Sequence, residues 1–451
     1  MGMRKKSSIT ILGGGPAGLA VAYFAKKKDF PFAVYEANSR VGGNAITFEC
    51  GPFRFDSGAH RFHDKNTEVT EEIKKLLGED LRKVDIPSAI YHKGSYINFP
   101  LVPLDLLSHL GFFTCSKAAF ELLKSNMKNK KYHRNFEELA ISKYGKTIAG
   151  LFLLNYSEKL WGISCDRLSP NVSGKRMKGL TLKTFLKETV WGKGTAVKHL
   201  DGSFYYPKNG IGTIVEKLAE YCGQENIYRE SAISRIFHNG KRLNAIEING
   251  QARLNIATAV STLALPHLLQ LLYPKVDENI LSLAKTLRFR HMILITTFVN
   301  KNSVTDKGSI YFPENKFPFT RVYEPKNRST QMSPDGKTSL CAEIPCDPES
   351  GLWSMNDKEL ADRIHSHFIE LKWISKADII DTEVKRLKNA YPVLEKDSEE
   401  KIQKISTYLS NFENLIITGR NGKFCYAHVH EMIRFGKDIV DEYFARRKIT
   451  S

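Results

Sequence analysis

The stretch Ile9-Thr10-Ile11-Leu12-Gly13-Gly14-Gly15-Pro16-Ala17-Gly18 decides the reading of this chain. An apolar run ends in three glycines, and Gly13, Gly15 and Gly18 satisfy G-x-G-x-x-G. The pattern predicts a strand, a tight turn through which backbone can approach a pyrophosphate, and a helix opening at Pro16 and Ala17 whose first amides face the phosphates. A second apolar run, Phe32-Ala33-Val34-Tyr35, closes on Glu36 and Ala37, with Glu36 placed for a ribose hydroxyl. Strand, turn, helix, strand and terminal acid arrive in order within about 30 residues, as one βαβ unit demands.

Just beyond lies Arg40-Val41-Gly42-Gly43, with glycines where a backbone must pass close to something and a cation suited to pyrophosphate. With this second loop the chain resembles the FAD-dependent amine oxidase and protoporphyrinogen oxidase superfamily, in which an R-x-G-G element wraps the FAD diphosphate. Phe53-Arg54-Phe55-Asp56-Ser57-Gly58-Ala59-His60-Arg61-Phe62-His63 looks like the element passing the isoalloxazine. Its G-x-H-x-F-H form is similar to UDP-galactopyranose mutases. The resemblance implies FAD as cofactor, with Gly58, Ala59 and His60 beside its ring.

The far end carries the same resemblance. Asn414-Leu415-Ile416-Ile417-Thr418-Gly419-Arg420 reads as a strand ending in a turn, and residues 429–444 as an amphipathic helix. In the family this last helix aims its N-terminus at the flavin pyrimidine, which puts Gly419, Arg420 and Val429 at the cofactor. Its dipole, about half a positive charge, would stabilise an anionic reduced ring. The mutase motif continues with a Tyr and an Asp-Met-Asp; this chain has Tyr426-Ala427-His428-Val429-His430, so both acids are absent. The middle segment resembles the family's adenine-pairing strand near Ile233. Gly210 and Gly212 are not read as a second clamp, since no strand is expected before them and the third glycine is missing. With a single fingerprint, no dedicated NAD(P)H domain is expected, so electrons would come from the substrate or a weakly held donor.

These pieces imply an α/β fold: a two-domain, Rossmann-like FAD-binding flavoprotein of the GR2 type with an interleaved α+β substrate domain. Residues 1–90, 203–284 and 405–451 are assigned to the FAD-binding domain. Residues 91–202, a helical insertion, and 285–404, with an antiparallel sheet, are assigned to the substrate domain. Residues 136–160 place apolar side chains at helical spacing. Residues 288–299 and 310–323 read as strands, and 357–373 as a helix.

Composition bounds the rest. With 67 basic against 49 acidic side chains the net charge is +18, a field that favours anionic partners. The basic residues are scattered and carry no nucleic-acid motif, so a small anionic substrate is expected, with no nucleic acid. No apolar run reaches the ~20 residues that cross a bilayer. The basic start is followed by an apolar region too short for a signal peptide, and the expectation is a cytoplasmic protein. The stretch Tyr96-Ile97-Asn98-Phe99-Pro100-Leu101-Val102-Pro103-Leu104 reads as core, with a pocket wall or peripheral membrane contact as alternatives. Seven scattered cysteines without C-x-x-C argue for reduced thiols, and Cys341 and Cys346 read as ordinary half-buried residues. No feature sets an oligomeric state.

Catalytic candidates are polar residues that the motifs place near the ring. His60 suits a hydrogen bond to flavin N5 or substrate, or acid-base work near pH 7; a packed histidine is the alternative. His63 reads as structural. With His428 and His430 it lacks a carboxylate or thiolate set at ligand spacing, and no metal site is read. In the mutases an arginine from a mobile element reaches the substrate diphosphate, which singles out Arg176, with Lys175 beside it. Arg321, in Phe317-Pro318-Phe319-Thr320-Arg321-Val322-Tyr323, needs an anion, either a substrate or a structural carboxylate. Tyr311, Tyr323 and Tyr426 are candidates to line a sugar or aromatic substrate.

Two readings follow. The first is an FAD-dependent oxidoreductase of the amine oxidase or protoporphyrinogen oxidase type, acting on a small carboxylated or amine substrate. The alternative is a non-redox sugar-nucleotide mutase in polysaccharide assembly. A third keeps FAD as a structural element only.

Overall fold

The computed structural model describes residues 8–101, 103–127, 132–173 and 203–450. Its centre is the predicted opening strand. Ile9–Leu12 is buried at all four residues and lies mid-sheet, in the order Leu415–Ile417, Thr258–Ser261, Ile9–Leu12, Phe32–Tyr35, Ile227–Tyr228. All four pairings are parallel, and a parallel sheet needs helices over both faces. Helix Pro16–Lys27 meets that need, with every residue from Pro16 to Ala25 buried. The closing helix Val429–Thr450 packs along it, so tightly that a Cβ on Gly436 would sit 2.6 Å from Ala20 Cβ. Helices Thr67–Leu77 and Gly212–Cys222 complete this apolar layer.

A smaller four-stranded sheet, in the order Ala252–Asn255, Leu243–Ile248, Ile233–His238, Leu272–Tyr273, flanks the parallel one. The largest sheet has seven strands, in the order Ile379–Pro392, Phe289–Val299, Thr338–Cys346, Arg321–Tyr323, Ser309–Tyr311, Ser88–His92, Ser95–Phe99. Only Ser309–Tyr311 against Ser88–His92 is parallel. Thr338–Cys346 is buried at all nine residues, because strands flank it and helix Asp357–Glu370 covers part of the sheet. The chain is therefore a mixed α/β fold with a Rossmann-like unit and an antiparallel unit interleaved in sequence.

Among the described residues, the stretch assigned to the insertion opens in strands Ser88–His92 and Ser95–Phe99 and is helical beyond them. Helices Pro103–Met127, Phe136–Ile148 and Asn155–Trp161 form that helical part, the last two joined by a π-type turn at Ala149–Leu154.

Several local expectations are corrected. Strand Ser203–Pro207 does precede Gly210, but it pairs antiparallel with Leu81–Asp85 outside the parallel sheet, so no βαβ turn forms there. The apolar run 310–323 divides into Ser309–Tyr311 and Arg321–Tyr323, antiparallel to each other, because Pro313 and Pro318 cannot serve a continuous ladder. The last helix continues past residue 444 to Thr450. Cys341 and Cys346 are fully buried in Thr338–Cys346 rather than half-buried, and all seven cysteines are free thiols. Among the described residues no helix is long and apolar enough to cross a membrane.

Candidate cofactor and substrate site

Two glycine loops meet backbone to backbone at the end of Ile9–Leu12. Gly13 has φ +104°, and a Cβ there would lie 2.3 Å from Thr262 Oγ1. Gly43, at φ +53°, faces Gly15; a Cβ on Gly43 would stand 3.4 Å from Gly15 Cα. The Gly42 amide donates to Gly14 O (2.8 Å), tying the loops together. Helix Pro16–Lys27 starts between them at Gly15, with no side-chain cap and no acid in its first turn, although Pro16, Ala17 and Gly18 are buried. Buried, uncapped amides at a helix start suit an anion, and the glycines leave room for one. Glu36, 6% exposed, braces the turn: its Oε2 accepts from the Gly14 amide (2.8 Å) and its Oε1 from the amide and side chain of Asn38 (2.9 and 2.6 Å).

The second loop leads directly to His60. Ser57 Oγ donates to Asn44 O (2.7 Å), and the Ser57 amide donates to Ile46 O. His60 Nε2 lies 3.2 Å from Ser57 Oγ. Two further segments converge here, since Asn44 and Asn421 both donate to Asn389 O (3.3 Å each) and Arg420 donates to Ala390 O (2.6 Å). The Arg420 guanidinium stands 5.2 Å from the Tyr391 ring, and Tyr391 stacks on Tyr426. Trp161 meets both tyrosines edge-on at about 6 Å.

Arg321 lies on the antiparallel sheet directly opposite Glu343, which accepts both of its fork nitrogens. Glu343 also accepts from the Ala59 amide, so the pair anchors the His60 loop. Arg328 is buried and donates to His60 O (2.9 Å) and Gly308 O (3.2 Å). Burial of the imidazole, then the charges of Arg420, Arg321 and Arg328, lower the His60 pKa to about 3. At neutral pH His60 is therefore an uncharged donor-acceptor. Burial, then Glu343, pushes Tyr391 up to about 12, so it too stays neutral. Beneath the loop, Asp56 accepts from Tyr206 OH (2.6 Å), Thr47 Oγ1 (2.7 Å) and the Ile211 amide (3.0 Å).

Residues 11–76 match the family model of an NAD(P)-binding Rossmann-like domain. Coproporphyrinogen III oxidase of Bacillus subtilis (strain 168) is 21% identical over 393 residues, 79% of this chain and 81% of that protein. The structure of a reduced UDP-galactopyranose mutase superposes with a TM-score of 0.85 at 19% identity, covering 97% of this chain and 94% of the other. A protein assigned as a protoporphyrinogen oxidase, from Exiguobacterium sp. 255-15, superposes at 0.78 and 17% identity over 98% and 99% of the two chains.

The chain has the fold of these mutase and oxidase structures. Within that fold Gly13, Gly15, Pro16, Ala17, Gly18, Gly42 and Gly43 line one junction, and Gly58, Ala59, His60, Arg420 and Tyr426 a second, with Glu36 behind the first. Arg40 is exposed, its guanidinium 5.8 Å from the Phe48 ring, and Ala37 is exposed beside it. Gly419, at φ +79°, turns the chain beside Ala17 and Thr262, and Val429 is buried at the first turn of the last helix. There Glu431 accepts from the His428 amide (2.9 Å), placing a carboxylate at the terminus that the resemblance aims at the flavin. Ile233 opens a strand of the four-stranded sheet, opposite Ile248. Arg176 and Lys175 lie outside the described residues.

The rings of His63, His428 and His430 lie 5.4 to 6.0 Å apart. Among the described residues no group of three His, Cys, Asp or Glu side chains is arranged to hold a metal. Sequence reasoning missed Glu343, Arg328, Tyr156 and Tyr391. One signal pointed to Glu343, a lone acid inside the run Thr338–Cys346.

Proposed function

We propose that this chain binds FAD and is an oxidoreductase acting on a small anionic substrate at the junction of its two units. The observation that carries the cofactor is the uncapped, buried start of helix Pro16–Lys27 facing Gly42 and Gly43, a cradle with space for a pyrophosphate and donors to hold it. When bound, FAD supplies a two-electron acceptor. The chain's own residues do the rest. Ser57 and Asn44 fix the His60 ring, and burial with the neighbouring arginines keeps that ring neutral, suited to hydrogen-bond the cofactor or substrate as a donor on one nitrogen and an acceptor on the other. Half-buried Tyr156, Tyr311, Tyr391 and Tyr426 surround Arg321, which Glu343 neutralises, and Arg420, so an aromatic wall with the Arg420 cation beside it awaits the substrate. Such a lining orients an anion through charge and a flat or ring-shaped body through stacking.

The likeness to a reduced UDP-galactopyranose mutase supports a second reading, a non-redox sugar-nucleotide mutase, because a diphosphate would also suit the arginines. One pair of experiments separates the two. Purified protein carrying FAD is mixed in air with carboxylated porphyrinogens and with amines; bleaching of the flavin followed by oxygen uptake is expected for the oxidoreductase. Dithionite-reduced protein is then given UDP- and TDP-sugars; furanose products without electron consumption would replace the first reading by the second. Colourless protein that stays colourless when FAD is added would end both.

A further inference from the structure

Far from the glycine loops, the helical insertion presents a surface that the flavin chemistry does not use. Helix Pro103–Met127 changes direction at Gly111, where φ is +76° and ψ 164°. Beyond this bend one face packs inward. Ala118 and Leu122 are buried against helix Phe136–Ile148, and Glu121 accepts from the Thr147 amide (2.7 Å). The opposite face stands in solvent. Phe112 is 70% exposed, Phe113 89%, Phe120 68% and Leu123 55%. Three exposed phenylalanines and a leucine within twelve residues share one face of the helix, an exposed apolar cluster of the kind that marks an interaction site.

The charge on this face has one sign. Lys117 and Lys124 are exposed between the aromatic rings, while Glu121, the acid of that turn, is held on the packed side. The whole chain adds a net charge of +18. The same bend lines a pocket of about 780 Å³, with His92, Lys93, Ser108, His109, Thr114 and Leu151 in its walls. A second copy of this chain across a two-fold axis would set lysines against lysines. An anionic surface meets the same lysines favourably and also receives the rings.

We propose that this face docks on an anionic phospholipid membrane, with Phe112 and Phe113 entering the headgroup layer and Lys117 and Lys124 against lipid phosphates. The contact is interfacial, as for amphipathic helices that lie on a bilayer rather than cross it. It would place the protein at a membrane surface without a spanning segment.

The test is co-sedimentation of the full chain with vesicles of phosphatidylcholine alone and of phosphatidylcholine with phosphatidylglycerol. Binding to the anionic vesicles, weakened by salt, is expected. Phe112→Ser with Phe113→Ser should weaken it by at least about ten-fold, and Lys117→Gln and Lys124→Gln by roughly five-fold each. Circular dichroism and thermal melting of each variant should match the parent, since the replaced side chains are exposed. Failure to sediment with anionic vesicles, equal binding to neutral vesicles, or unchanged binding by the double phenylalanine variant overturns the proposal. A fall from dimer to monomer in that variant, with no vesicle binding by the parent, assigns the face to a second copy instead. None of these outcomes depends on the chemistry proposed for the flavin site.

Discussion

Arg321 and Glu343 stand opposite each other on adjacent antiparallel strands and form a forked ion pair, with Nε to Oε2 and Nη2 to Oε1 both 2.8 Å. Glu343 is 2% exposed and takes a third hydrogen bond, from the Ala59 amide. One carboxylate thus balances a buried guanidinium and fixes the loop that carries His60. Glu343→Gln would leave Arg321 charged without a counter-ion, a change that costs about 3 to 5 kcal/mol when a buried pair is broken. Urea unfolding should show the loss. Unchanged stability would mean that a substrate-side anion or solvent already neutralises Arg321.

Two glycines make opposite predictions about cofactor and stability. A Cβ on Gly18 would lie 2.1 Å from Gly13 O, so Gly18→Ala must open the phosphate turn, and loss of bound flavin is expected on purification. A Cβ on Gly436 would lie 2.7 Å from Val21 N, where the first and last helices cross. Gly436→Ala should cost about 1 to 3 kcal/mol as overpacking and leave flavin content near the parent's. Visible absorbance per mole of protein reads the first effect, and thermal unfolding the second.

The opening unit was legible because its information is local. Short apolar runs set Ile9–Leu12 and Phe32–Tyr35, and Gly13, Gly15 and Gly18 admit one geometry of turn. The site was legible only where it lies on such motifs, as at His60 and Arg420. The Arg321–Glu343 pair depends on the register of strands whose partners are 22 residues apart, and periodicity does not encode register. The same limit hid Asn389, whose carbonyl gathers Asn44 and Asn421 from opposite ends of the chain. Strand Ser203–Pro207 escaped because its partner, Leu81–Asp85, lies on the far side of the helical insertion.

Glu36 tests how the first loop is held. Both of its oxygens are occupied by Gly14 and Asn38, so the carboxylate shapes the turn in addition to any contact with a ribose. Glu36→Ala removes charged hydrogen bonds worth about 1.5 to 3 kcal/mol each. FAD should then dissociate roughly ten- to hundred-fold more readily. Titration of apoprotein with FAD, followed by quenching of flavin fluorescence, measures the change; equal affinity would show that the turn is shaped by its glycines alone.

His60 gives the pH prediction. Its pKa falls from an ordinary 6.5 to about 3 in the folded chain. Between these values the unfolded chain binds a proton that the folded chain refuses, so stability rises with pH. The contribution is complete above about pH 6.5 and is lost as pH falls toward the folded value, at up to about 1.4 kcal/mol per pH unit. His60→Gln keeps a polar side chain and does not titrate. Relative to that variant, the parent should lose stability between about pH 6.5 and 4.5, with the two curves parallel above that window. Urea midpoints taken across the range decide it. Parallel curves throughout would place a compensating negative charge beside His60 and remove the electrostatic basis for its neutrality.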